Sequence, residues 1–179
     1  MTDAPVSGGK RRIDQVLATD FADGLDSLDT PEVRRRRDLA RAEREYLSLL
    51  RRLLQGRRDI LRDELDRRRT GGGTQDVMER IVGVFSEGPR GPSRGEAPMI
   101  PVPEDEIAIV RRRVERLLAD TGLSDLAELT PELLEEAIGK IEEEERTVSD
   151  TRATVMGVLD ALQDEMKRRL KTELSNLPQ

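Results

Sequence analysis

Cysteine, histidine and tryptophan are absent from this 179-residue chain, which carries one tyrosine and two phenylalanines. Without cysteine there is no disulfide framework and no thiolate metal site. Without histidine the commonest general base and the commonest metal ligand are missing. Apolar residues make up 35% of the chain, aromatics 2% and charged residues 38%. So few large apolar side chains favour long exposed helices over a compact globule. No apolar run is long enough to span a bilayer, and the N-terminus lacks the apolar stretch of a signal peptide. A soluble, cytoplasmic protein without a membrane partner is the expectation. No nucleophile–base pair and no acid–base carboxylate pair stands out, so no enzyme is expected.

What is present is helix. Residues 1–29 open with a small, polar stretch, followed by Ile13, Val16, Leu17, Phe21, Leu25 and Leu28 at helical spacing. Gly24 weakens that pattern, leaving one short helix or two turns as alternatives. "DTPE" then supplies a helix start, with Thr30 as N-cap, Pro31 at the first helical position and Glu32 in the first turn. A first long helix is predicted within 30–70, ending at "TGGGT". Residues 71–103 form a Gly/Pro-rich linker, with Val77, Ile81, Val84 and Phe85 able to make one short amphipathic helix. Residues 104–129 hold a short helix and a turn. A second Thr-Pro-Glu start at 129–132 opens a second long helix within 130–175. Both halves read short helix, Thr-Pro-Glu, long helix. An internal duplication and the reuse of a good helix start both fit that pattern.

Charge favours pairing of the two long helices. Residues 31–69 hold 14 arginines against 8 acidic residues, and residues 131–174 hold 7 basic against 12 acidic residues. Opposite charge and a long linker predict an all-α fold, an antiparallel two-helix coiled-coil hairpin with short accessory helices. On the second long helix the apolar seam is Leu134, Ile138, Ile141, Val148, Val155, Leu159, Leu162 and Met166, broken only by Glu145 and Arg152. On the first it is predicted through Leu39, Ala42, Tyr46, Leu49, Leu53, Gly56 and Ile60. Leu47, Leu50, Leu54, Leu61 and Leu65 widen that face beyond what one partner helix needs.

The two long helices share a polar set. Ser48, Arg51, Gln55 and Asp59 have spacings of three, four and four, and so do Ser149, Arg152, Met156 and Asp160. At roughly 100° per residue each set occupies a stripe about 80° wide. Glu145 extends the second stripe by one turn. Arginine can pair with phosphate or with the guanine O6/N7 edge, and a carboxylate can accept from guanine N1–H and N2–H₂. Two such stripes suit a ligand with two guanines and two phosphates.

At these residues the sequence resembles the RsiG-type anti-sigma factors of sporulating actinobacteria, whose repeated signature is E-x₃-S-x₂-R-x₃-Q-x₃-D. Glu145, Ser149, Arg152 and Asp160 fit one copy, with Met156 where glutamine is expected. Ser48, Arg51, Gln55 and Asp59 fit the other, with Arg44 where glutamate is expected and Glu45 one residue off. The resemblance implies an antiparallel hairpin that binds cyclic di-GMP, a second messenger, as a dimer of the dinucleotide. It also implies that the loaded protein sequesters a WhiG-like sigma factor from RNA polymerase. The sigma contact is expected at Leu47, Leu50 and Leu54, with Phe21 of the N-terminal segment as a further contact. A rival assignment turns Leu47, Leu54 and Leu61 into the hairpin and leaves the Tyr46 side for the partner.

Blander readings compete. One polar copy alone on an Arg/Glu-rich helix is a solvated face; two copies, one interrupting a seam, point to a ligand. "RRRR" at 34–37 reads as a solvated charge run, and "EEEE" at 142–145 lacks the other oxygen ligands of a cation site. "TGGGT" and "SGGK" lack the full phosphate-loop pattern. A ligand-free coiled-coil adaptor is the alternative function. Nucleic-acid binding is disfavoured by the net charge of −6 and the lack of interleaved aromatics.

Overall fold

The computed structural model describes residues 11–70, 103–119 and 130–175. The short helix expected around 77–85, the glycine stop at 71–73 and the turn before residue 130 lie outside the described residues. The remainder is all-α: α1 (Arg12–Val16), a single 3-10 turn (Leu25–Ser27), α2 (Thr30–Arg69), α3 (Glu104–Ala119) and α4 (Pro131–Ser175). Among the described residues there is no strand, and no helix is long and apolar enough to cross a membrane.

The two Thr-Pro-Glu starts are used differently. At α4, Thr130 behaves as a cap: the Leu133 N–H donates to its Oγ1 and the Leu134 N–H to its carbonyl. At α2 the side-chain cap is Asp29, whose Oδ1 accepts the Glu32 N–H at 2.8 Å. Thr30, expected there, instead accepts a hydrogen bond from Arg169 on its Oγ1. A carboxylate one residue earlier reaches the same free N–H groups and adds charge complementary to the helix dipole.

The described residues fall into two compact units, Met1–Leu47 with Asp150–Gln179, and Ser48–Ser149. In the first, the segment before α2 folds back on it. Helix α1 ends at Val16, and Gly24 takes a left-handed backbone (φ 59°) at the start of the separate 3-10 turn. Arg12 donates to Glu43 at 2.7 Å and lies over the Tyr46 ring. Arg36 donates to the carbonyls of Asp20 and Phe21 and covers the Phe21 ring. Arg169 of α4 donates to the Leu25 and Leu28 carbonyls, which brings the end of α4 to the start of α2.

In the second unit α2 and α4 run antiparallel. Arg58 pairs with Glu145, Arg62 with Glu142 and Arg69 with Glu135, rising numbers on one helix meeting falling numbers on the other. Helix α3 lies beside both: Val114 shares a groove with Leu53, Gly56 and Ile60 of α2, and Arg113 pairs with Glu144 of α4.

Burial follows a seven-residue repeat on each long helix. Val33, Ala40, Leu47, Leu54 and Leu61 are buried on α2; Leu134, Ile141, Val148, Val155 and Leu162 are buried on α4. That repeat is the coiled-coil signature. On α4 the seam is the expected one. On α2 it is rotated by about one residue from the predicted Leu39–Ile60 line, and the rival assignment of Leu47, Leu54 and Leu61 holds. Leu47, Leu50 and Leu54 are therefore core, with Leu50 fully buried, and cannot be a waiting sigma contact as first expected. The half-exposed Leu53 and Ile60 meet α3 instead. The apolar face was broad because the chain covers its second side itself.

Candidate functional site

Four residues after a buried heptad position lies the second row of the seam. On α4 that row reads Ile138, Glu145, Arg152, Leu159; on α2 it reads Arg44, Arg51, Arg58, Leu65. The polar interruption is thus common to both helices, and in the second unit its members meet. Glu145 is largely buried, its side chain 13% exposed. Gln55 Nε2 donates to its Oε1 at 2.6 Å, and Arg58 donates to its Oε2 at 2.7 Å. A buried carboxylate needs such donors, because desolvation otherwise outweighs its attraction to any one cation. Glu145 is thus paired from within the chain and needs no ligand to neutralise it.

Arg51 is ion-paired to the same carboxylate but does not hydrogen-bond to it. Its buried Nε lies 3.5 Å from Glu145 Oε1 and makes no hydrogen bond. The rest of the side chain is 42% exposed. Asp59 is held from one side by Arg58, at 2.9 and 3.1 Å, and is 62% exposed on the other. The hydrogen bond to Asp59, assisted by the charges of Glu145 and Glu142, raises the Arg58 pKa further above its ordinary value. Ser48 is half-buried one turn before Arg51 and Arg52, and its carbonyl accepts from Arg52.

Of the expected residues, Arg51, Gln55 and Glu145 come together directly, and Asp59 joins them through Arg58. Ser149 is half-buried on α4 in the same unit. Arg152, Met156 and Asp160 belong to the other unit. There Arg152 is half-buried and engaged, while Met156 and Asp160 are exposed on α4. Arg44 pairs with Glu45, its neighbour. Glu45 is buried in that pairing. Phe21 is buried too, yet it edges a cleft of about 420 Å³ lined by Asp14, Gln15, Ala18, Asp20, Arg35 and Arg36.

Sequence reasoning missed Arg58. It sits four residues after Leu54, in the seam row, so the heptad register would have revealed it had α2 been read through Leu47, Leu54 and Leu61.

In this all-α fold, polar side chains of two helices converge on one carboxylate. Among the described residues no group of side chains could hold a metal ion. The family model described as RsiG-like matches residues 19–84 and 120–179, more than half of the chain. The chain belongs to the RsiG-like family, that of the RsiG-type anti-sigma factors, which is not a family of enzymes. No curated protein gives a match to set beside it.

Proposed function

We propose that this anti-sigma factor binds cyclic di-GMP through its repeated polar motif and, when loaded, sequesters a WhiG-like sigma factor from RNA polymerase in the cytoplasm. The observation that carries the reading is the state of Arg51 and Asp59. The guanidinium of Arg51 is ion-paired to Glu145 through a buried Nε that makes no hydrogen bond, and its side chain is 42% exposed. Asp59 is fixed on one side and open on the other. These are the two groups a guanine nucleotide requires: a cation for phosphate or the O6/N7 edge, and a carboxylate for the N1–H and N2–H₂ edge. The residues present fit the ligand. Ser48, Gln55, Glu145 and Ser149 complete the set in the second unit. Arg152, Met156, Asp160 and Arg44 are assigned from the repeated motif. Two motif copies accommodate two dinucleotides.

For the sigma factor we propose the cleft beside Phe21, whose lining mixes Arg35 and Arg36 with Asp14 and Asp20. Binding of ligand to the hairpin raises sigma affinity by coupling the two sites.

Calorimetric titration tests the ligand. Cyclic di-GMP should bind, and Asp160→Ala should weaken it by on the order of tenfold to hundredfold, the effect of losing one charge-assisted contact of about 1.5–3 kcal/mol. Equal affinity for cyclic di-AMP would overturn the guanine assignment.

A further inference from the structure

Arg58 lies outside the five-residue signature, yet it touches a carboxylate from each motif copy. Through Nε and one terminal nitrogen it holds Asp59 Oδ1 at 3.1 and 2.9 Å, on its own helix. Its other terminal nitrogen reaches across to Glu145 Oε2 at 2.7 Å, on α4. We propose that Arg58 is a positioning residue for the dinucleotide: it bridges Asp59 and Glu145, fixes the guanine-accepting carboxylate, and leaves Arg51, ion-paired to Glu145 without a hydrogen bond, able to turn its donors to the ligand.

Three features support this. The first is geometric. The guanidinium is a planar fork with donors on two sides, and here each side serves a different helix. A lysine at 58 would offer one ammonium and could not span both carboxylates in the same way. The second is the satisfaction of Glu145. Gln55 and Arg58 supply its two short hydrogen bonds, so Arg51, 3.5 Å away, is not needed to neutralise it. If Arg58 were absent, the buried carboxylate would draw in the nearest remaining cation, which is Arg51. The ligand would then compete with Glu145 for that arginine. The third is burial. Arg58 is 21% exposed, against 62% for Asp59, so the clamp lies inside and the group it positions lies outside.

Arg62 provides the control. It makes the same kind of bridge to α4, through Glu142, but touches no motif residue. Any loss that comes only from weakening the helix pair should appear in both variants.

The proposal rests on the cyclic di-GMP reading, and one experiment separates the two. Wild type, Arg58→Met, Arg58→Lys and Arg62→Met are titrated with cyclic di-GMP and cyclic di-AMP, and their melting temperatures are recorded alongside. Arg58→Met is expected to lose about tenfold or more in cyclic di-GMP affinity, as for a charge-assisted contact, and to discriminate guanine from adenine less well. Arg58→Lys should fall between Arg58→Met and wild type. Arg62→Met should keep both affinity and discrimination within about twofold, as exposed ion pairs contribute little. Discrimination is the telling readout, because a helix pair that is merely loosened weakens both ligands alike. A wild type that binds cyclic di-GMP together with an Arg58→Met that binds equally well, or loses both ligands in proportion, overturns the role of Arg58 alone. A wild type that does not bind cyclic di-GMP overturns the reading beneath it, and the proposal with it.

Discussion

Several carboxylates of this chain are held by two arginines at once. Glu32 takes Arg35 and Arg36, Glu64 takes Arg67 and Arg68, and Glu165 takes Arg168 and Arg169. Those hydrogen bonds pull Glu32 and Glu165 down to about 2 from the ordinary 4.5 and lower Glu64 in the same direction. A carboxylate whose folded pKa lies below its unfolded value stabilises the fold above the unfolded value, and that contribution is lost as pH falls through the folded one. Melting followed by circular dichroism should therefore show little change from these groups at neutral pH and a decline from about pH 4.5 toward 2. A midpoint that rises on acidification would contradict the pairing. The same local logic made the polar site only half legible in the sequence. Arg51 was readable because its spacing repeats at Arg152, and Gln55 and Glu145 because they continue the same stripes. Arg58 was not, because nothing in the spacing of one helix says which arginine turns inward. That choice is made by the partner carboxylate.

At the scale of elements, the helices themselves were legible because their starts carry cap chemistry and their apolar residues keep a helical period. The direction faced by α2 was not. Its leucines fill two adjacent faces, and the seam through Leu39, Leu49 and Leu53 is as apolar as the one through Leu47, Leu54 and Leu61. The structure selects the second because the first is covered from within the chain, by α3 along Leu53 and Ile60 and by α1 over Tyr46. Two substitutions check this assignment. Leu50→Ala removes a fully buried side chain and should destabilise the fold by about 2–5 kcal/mol in urea unfolding. A change below about 1 kcal/mol would mean the leucine is not core. Gly139 sits inside α4 with open space where a Cβ would go. Gly139→Ala should stabilise by about 0.5–1 kcal/mol through helix propensity, seen as a higher melting temperature. A lower one would show an unseen close approach at that position.

At the scale of the whole molecule, the chain is an anti-sigma factor by family, and its proposed switch is a linkage between two ligands. Cyclic di-GMP that binds only the folded hairpin must stabilise it, by about 2.7 kcal/mol at a free concentration a hundredfold above its dissociation constant. The shift should be present in wild type and reduced in Asp59→Ala. Because coupling free energy is shared, the sigma factor must tighten ligand binding by the same factor by which ligand tightens sigma binding. The net charge of −6 is distributed so that arginines gather on α2 and acids on α4, which favours the helix pair. The most direct measurement is the affinity of the purified chain for a WhiG-like sigma factor with saturating cyclic di-GMP and without it. The account predicts tight binding with the dinucleotide and a loss of at least about tenfold in its absence, whereas equal binding in both conditions would contradict it.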